Sequence, residues 1–208
     1  MALTGLFLCL FLVIHLLGNF QLLLPKEEAR LQYNLYSDFL SNNILVKLIS
    51  YGLYASILIH TLDSIYLTIK AKKAKGSSYV KDNRGRASKW YSRQMMLLGS
   101  IVFAFLVIHF KDFWSVYKFG TLPLDANGNK DLYGLVLASF ENLWYVLLYG
   151  FAILSLGFHL LHGFFSAFRT IGLYNPKYNS VIKTVGIVFA LAITFGYFII
   201  PFYMYLID

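Results

Sequence analysis

One cysteine, Cys9, stands in 208 residues. That excludes a disulfide framework and any zinc or iron–sulfur centre built on cysteine thiolates. Charge is scarce as well. Asp, Glu, Lys and Arg together make up 13% of the chain, about half the roughly 25% of a soluble domain. A basic n-region and a small-residue cleavage motif are both missing at the start, so the first apolar stretch is not a signal peptide. Internal repeats are not evident. What remains is a chain that is 58% apolar, which excludes an ordinary soluble fold. Cys9 itself lies in an apolar run and reads as a packing residue.

The net charge of +8 invites a nucleic-acid reading, but its placement argues against one. Nine of the 18 basic residues fall between Lys70 and Arg93, in a single connection between apolar stretches. That is the pattern of a membrane protein with one basic face, so no nucleic-acid partner is expected.

Five stretches are long enough to cross a hydrocarbon core, which takes about 20 helical residues. They lie near 1–24, 44–69, 94–118, 141–168 and 181–206, with boundaries good to roughly four residues. The expected fold is all-α, a single bundle of five transmembrane helices over residues 1–208. Lys and Arg set the expected orientation. The 70–93 connection has nine of them against Asp82, and the 169–183 connection has Arg169, Lys177 and Lys183 with no acid. The 25–43 and 119–140 loops mix signs. The first two therefore face the cytoplasm, as does the N-terminus. In the last loop, Asn127-Gly128 signals either a small hairpin or a plain surface turn. Met1 stands inside the first apolar stretch with no basic residue before it. Two accounts of that start stay open, a longer natural chain or a boundary chosen for expression.

Four of the five histidines, His15, His60, His109 and His159, occur one each in the first four spans. An ionisable residue inside a bilayer is a functional candidate by default. At about 1.5 Å per residue from the cytoplasmic end, His15 lies about 21 Å deep and His109 about 24 Å. His60 and His159 each lie about 15 Å deep. Two pairs at two depths, without cysteine or a nearby carboxylate, suit two bis-imidazole haems better than zinc. No C-x-x-C-H run is present, so such haems would be of the non-covalent b type. The plain alternative is four unrelated histidines, each hydrogen-bonded inside the bundle.

Small residues one turn away, Ser56 and Ser64 around His60 and Ser155 and Gly163 around His159, leave room for a flat macrocycle or serve close helix packing. Around the outer pair the neighbours are Phe11 and Asn19 for His15, and Phe105 and Phe113 for His109. Aromatic rings edging a porphyrin would account for them. His162, three residues after His159, competes with it as a ligand or serves a haem propionate or the backbone. Ser92, Arg93 and Arg169 are candidates for propionate contacts, or are interface anchors. Asp63 either accepts the His60 ring N–H or is a helix-end acid bonded to a Lys.

The segment FHLLHGFFSAFRTIGL, with one histidine in each of the first four spans, resembles the diheme cytochrome b subunit (b558 type) of succinate dehydrogenase and fumarate reductase. The opening ALTGLFLCLFLVIHLLGN is similar to that subunit's first helix. The likeness runs over essentially the whole chain. In the family the fourth ligand is followed by glycine four and thirteen residues later. Gly163 and Gly172 satisfy this from His159 and not from His162. The resemblance implies two haems b, His15 with His109 and His60 with His159, and an anchor for a flavoprotein subunit and an iron–sulfur subunit. It also implies electron exchange with a membrane quinone, menaquinone by preference, in a bacterial cytoplasmic membrane. Some members place an acid at the outer quinone site, and Asp38 is the nearest candidate here. Some carry a Glu two residues before the fourth ligand for proton movement, where this chain has Gly157.

Two other classes remain. A b-type cytochrome serving a hydrogenase or formate dehydrogenase would share the haems and differ in its partners. A haem-free transporter or structural protein would show no Soret or α-band absorption.

Overall fold

The computed structural model describes residues 1–75, 88–173 and 175–207. Among the described residues nine helices follow in order: α1 (Ala2–Asn19), α2 (Lys26–Asn42), α3 (Ile44–Lys75), α4 (Trp90–Arg93), α5 (Met95–His109), α6 (Val116–Phe119), α7 (Leu132–Phe140), α8 (Leu143–Thr170) and α9 (Pro176–Leu206). A 3₁₀ turn, Phe20–Leu23, extends α1, and a wider π turn, Phe110–Ser115, joins α5 to α6. Five helical spans are long and apolar enough to cross a membrane: Ala2–Leu23, Ile44–Ala74, Met95–Phe119, Leu143–Thr170 and Pro176–Leu206. The chain is an all-α, multi-pass membrane protein. Its outward faces agree with that. Leu3, Leu10 and Leu17 of α1, and Leu45, Leu48 and Leu58 of α3, stand exposed on the isolated chain. Apolar surface on this scale is covered by lipid.

Local signals explain most of the boundaries. Asn142 caps α8 by accepting the Trp144 N–H at 2.9 Å, and Asn175 caps α9 by accepting the Lys177 N–H at 2.9 Å. Pro176 then occupies the first turn of α9, where its missing N–H costs nothing. Helix α8 ends at Gly172, whose φ of +88° needs a residue without a Cβ. The Leu173 N–H bonds the Phe168 carbonyl and the Gly172 N–H bonds the Arg169 carbonyl, closing the left-handed cap.

Three expectations from sequence need correction. Helix α3 runs on to Lys75, past the expected end at 69, because KAKKAK is made of strong helix formers. Helix α9 begins at Pro176, ahead of 181, because Asn175-Pro176 is a cap and first-turn pair. The expected loops at 25–43 and 119–140 are largely helical, holding α2 and α7. The hairpin-or-turn question resolves into a tight turn with Gly128 at φ +81° and one isolated antiparallel bridge, Leu124 to Lys130. Part of the basic connection, residues 76–87 with Lys81, lies outside the described residues.

Four spans form a ring in which α1 packs on α3, α3 on α5, α5 on α8 and α8 on α1. Helix α9 packs outside the ring against α8 and α1. The approach is close because glycines meet bulk. A Cβ on Gly157 would overlap Thr194 Oγ1, and one on Gly196 would stand 2.6 Å from Leu16 Cδ2. The position that carries Glu in some diheme cytochromes is therefore a helix-crossing point here, with no room for a side chain. At the far end of α1, helices α2 and α7 close the bundle. Asp131, 4% exposed, bonds Arg30 through Nε (3.1 Å) and Nη2, Asn34 (3.0 Å) and the Gly134 N–H (3.1 Å).

Candidate functional site: two histidine pairs

The ring brings the four span histidines together in twos. His15 of α1 faces His109 of α5 with ring centres 5.9 Å apart. His60 of α3 faces His159 of α8 with ring centres 6.4 Å apart. Each pair joins helices that are diagonal in the ring, so both pairs point into its axis. The His15–His109 pair lies toward α2 and α7, and the His60–His159 pair toward the start of α1. Among the described residues no three His, Cys, Asp or Glu side chains converge. The unit of this site is two imidazoles.

Two imidazoles facing each other across one metal, with metal–nitrogen bonds of about 2 Å, have ring centres roughly 6 Å apart. Both pairs meet that separation. The other ring nitrogen decides which atom is free. His60 Nδ1 lies 3.1 Å from Thr4 Oγ1. The Thr4 hydroxyl donates to the Met1 carbonyl at 2.9 Å, so toward His60 it accepts an Nδ1–H. His109 Nδ1 lies 3.2 Å from the Tyr149 hydroxyl. A neutral histidine that donates from Nδ1 carries its lone pair on Nε2, which is how a ligating histidine is held by its surroundings. His159 Nδ1 is buried, with no hydrogen-bond partner among the described residues. At His15 the neighbour is a donor. The Asn19 amide nitrogen bonds the His15 carbonyl at 2.7 Å and lies 3.3 Å from Nδ1, while Tyr33 donates to Asn19 Oδ1 at 3.3 Å.

Glycines and aromatics shape the walls differently at the two depths. A Cβ on Gly5 would meet His60 Cε1 at 3.4 Å, and one on Gly99 would meet His159 Cε1 at 3.5 Å. Each glycine sits on a helix next to the ligand's own and lets the ring lie against backbone. Gly163 faces open space. Around the other pair, Phe11 stacks on His15 at 5.2 Å, and Phe105 and Phe113 lie 5.7 and 5.4 Å from His109. These rings pack on the imidazoles themselves. Both pairs have the donor set and separation of a two-imidazole metal site, one edged by glycines and the other by phenylalanines.

The remaining candidates are placed as follows. His162 Nδ1 bonds Ser92 Oγ of α4 at 2.9 Å and stands outside the His60–His159 pair. The Arg93 guanidinium bonds the Ser88 carbonyl, and Arg169 is exposed at the end of α8. Asp63 bonds the Met1 amino group at 2.8 Å through Oδ2. Asp38 lies within α2, where a loop was expected, and accepts from Asn42 at 3.0 Å. It lines a shallow, open pocket of about 470 Å³ with Leu35, Phe39, Asn42 and Asn43. Of the groups behind the imidazoles, Asn19 shares a face with His15 and was legible in sequence, whereas Thr4 and Tyr149 act from other helices and were not.

No protein-family model matches the sequence, and comparisons with curated proteins and with solved structures return no match.

Proposed function

We propose that this chain is the diheme cytochrome b anchor of a succinate:quinone oxidoreductase, a succinate dehydrogenase or fumarate reductase. The observation that carries the reading is the pairing itself. Four histidines, one from each ring helix, meet as two diagonal pairs with ring centres 5.9 and 6.4 Å apart. Haem b, when bound, supplies one-electron redox chemistry. The chain's own work is to ligate, bury and orient. His15 and His109 would hold one group and His60 and His159 the other; Nδ1–H bonds to Thr4 and Tyr149 leave Nε2 as the lone-pair atom of His60 and His109. Gly5 and Gly99 let the imidazoles of the second pair lie against backbone, and the phenylalanines wall the first.

The positive-inside rule favours a cytoplasmic N-terminus, with the His60–His159 pair on the inner side and the His15–His109 pair on the outer side. On that orientation the 70–93 face receives an iron–sulfur subunit, which a flavoprotein subunit joins. A membrane quinone, menaquinone by preference, reacts near the outer pair. Asp38 at its open pocket is the candidate to hand over the quinone's proton. Ser92 and His162, bonded to each other, and Arg93 and Arg169 lie at the inner end, where haem propionates would be met. The setting is a bacterial cytoplasmic membrane.

The test is a dithionite-reduced minus oxidised spectrum of the purified complex, with haem counted per chain. Two haems b are expected. His15→Ala and His60→Ala should each remove one spectral component, and a different one. No Soret or α-band absorption overturns the reading, and loss of the same component in both variants overturns the pairing. A complex that carries both haems but co-purifies with hydrogenase or formate dehydrogenase subunits keeps the cytochrome and changes the enzyme.

A further inference from the structure

Behind His109 runs a chain of hydrogen bonds that ends on a carboxylate. Asp112 sits in the π turn that follows His109, a kind of turn frequent at functional sites. Its Oδ2 lies 2.9 Å from the Tyr145 hydroxyl. The Tyr145 and Tyr149 hydroxyls lie 3.2 Å apart, and Tyr149 lies 3.2 Å from His109 Nδ1. The direction of this chain is fixed by its end. An ionised carboxylate only accepts. Tyr145 must therefore donate to Asp112, and its oxygen must accept from Tyr149. The Tyr149 oxygen then accepts the His109 Nδ1–H. Nε2 is left as the lone-pair atom, aimed toward His15.

The surroundings favour a strong relay. Tyr149 is buried, with Phe105 and Phe140 rings 4.8 and 5.0 Å from its own. Little water competes there, and linked hydrogen bonds polarise one another in such a medium. Lys111 holds the other carboxylate oxygen, Oδ1, at 3.2 Å and leaves Oδ2 to Tyr145. At the second pair, His60 is backed by the neutral hydroxyl of Thr4 and His159 Nδ1 by no partner.

We propose that Asp112 is a positioning residue which, through Tyr145 and Tyr149, fixes the tautomer of His109 and raises its strength as an electron donor to a bound metal. This rests on the reading of His109 as a haem ligand. A hydrogen bond that ends on a carboxylate makes a ligating histidine more basic. A more basic ligand favours the oxidised metal and lowers the midpoint potential. Asn in place of Asp112 removes the charge and offers an N–H that can reverse the chain.

The experiment is a potentiometric titration of the purified complex, following the two α-band components separately, with the electron paramagnetic resonance lines of the low-spin haems recorded alongside. Asp112→Asn should raise the midpoint of the His15–His109 component by about 59 mV, a tenfold change in its reduced-to-oxidised ratio at fixed potential. The other component should stay in place. Asp112→Glu should restore the parent value, and Tyr145→Phe, which cuts the chain, should reproduce the shift. An unmoved midpoint with both haems present overturns the proposal, as does an equal shift of both components. If Asp112→Asn loses the haem, Tyr145→Phe decides. Retention at the parent midpoint overturns the proposal. A parent complex without haem overturns the cytochrome reading, and this proposal with it.

Discussion

Asp131→Ala should destabilise the protein by about 3 kcal/mol, and the structure shows where that comes from. Asp131 is the N-cap of α7, and removing such a cap costs about 1 kcal/mol. It also holds Arg30, which is half-exposed, so the lost ion pair is discounted to about 1 kcal/mol. Its third partner, Asn34, is fully buried and keeps only Asp125 as an acceptor for its amide nitrogen. One orphaned donor adds about 1 kcal/mol. For a chain of this size, each 1 kcal/mol lowers Tm by about 2–4 °C, so a drop of about 6–12 °C is expected. Asp131→Asn keeps the cap and should cost about half as much. The pH dependence has a definite sign. Burial pushes the Asp131 carboxyl up, but the bonds from Arg30, Asn34 and the Gly134 N–H outweigh it and hold it below its ordinary 3.8. A depressed carboxyl contributes stability above its unfolded value and loses it as pH falls through the folded one. The gap between parent and Asp131→Ala should be constant near neutral pH and close below about pH 4. Thermal unfolding in detergent, followed by far-ultraviolet circular dichroism, measures it. A Tm within about 2 °C of the parent at neutral pH would refute the reasoning. A local consequence should accompany the loss. Helix α2 carries Tyr33, which bonds Asn19 beside His15, so on the proposed diheme reading the His15–His109 component should shift while the other stays.

Other substitutions separate the proposed roles. His162→Ala should leave both haems bound, because His162 is held by Ser92, whereas His159→Ala should lose the His60–His159 component; visible spectra decide. Asp38→Asn should slow quinone-linked turnover and leave dye-linked succinate oxidation unchanged. Normal quinone turnover would remove Asp38 from the mechanism. Crosslinkers on the exposed Lys72 and Lys73 should reach an iron–sulfur subunit in the intact complex, and capture of lipid alone would count against docking there. Gly157→Glu should fail to accumulate as a folded protein, since even a Cβ at that position overlaps Thr194, and normal expression with intact haems would refute that packing account.

The spans were legible in sequence because a hydrocarbon core demands length and apolarity and tolerates little else. The pairing of His15 with His109 and of His60 with His159 was legible for a related reason. Rise per residue turns position along a helix into depth, and the structure joins these same residues. Outside the membrane the sequence carries weaker signals. Helix α2 is polar and α7 is short, and both depend on a buried cluster between them. Arg30 meets Asp131 across 101 positions of sequence, and no local pattern announces such a contact. The π turn at Phe110–Ser115 was also invisible, since its residues are ordinary helix residues read in series. It is this turn that carries Asp112, and only the fold brings Tyr145 and Tyr149 to it.

Four histidines of one kind do not make two equivalent sites. On the proposed reading, the order of their potentials follows from what stands behind each imidazole. The His15–His109 pair is connected through two phenols to a carboxylate, which favours oxidised iron. The His60–His159 pair is backed by a hydroxyl and a bare nitrogen, and lies toward the end of the bundle that carries Lys70, Lys72, Lys73, Arg93 and Arg169. Positive charge on that side favours the extra electron of the reduced state. Both effects have the same sign, so the His60–His159 site should be the easier to reduce. The chain's own residues would thus hold two bound groups at unequal potentials, the higher on the side of the basic face, where His60 and His159 stand.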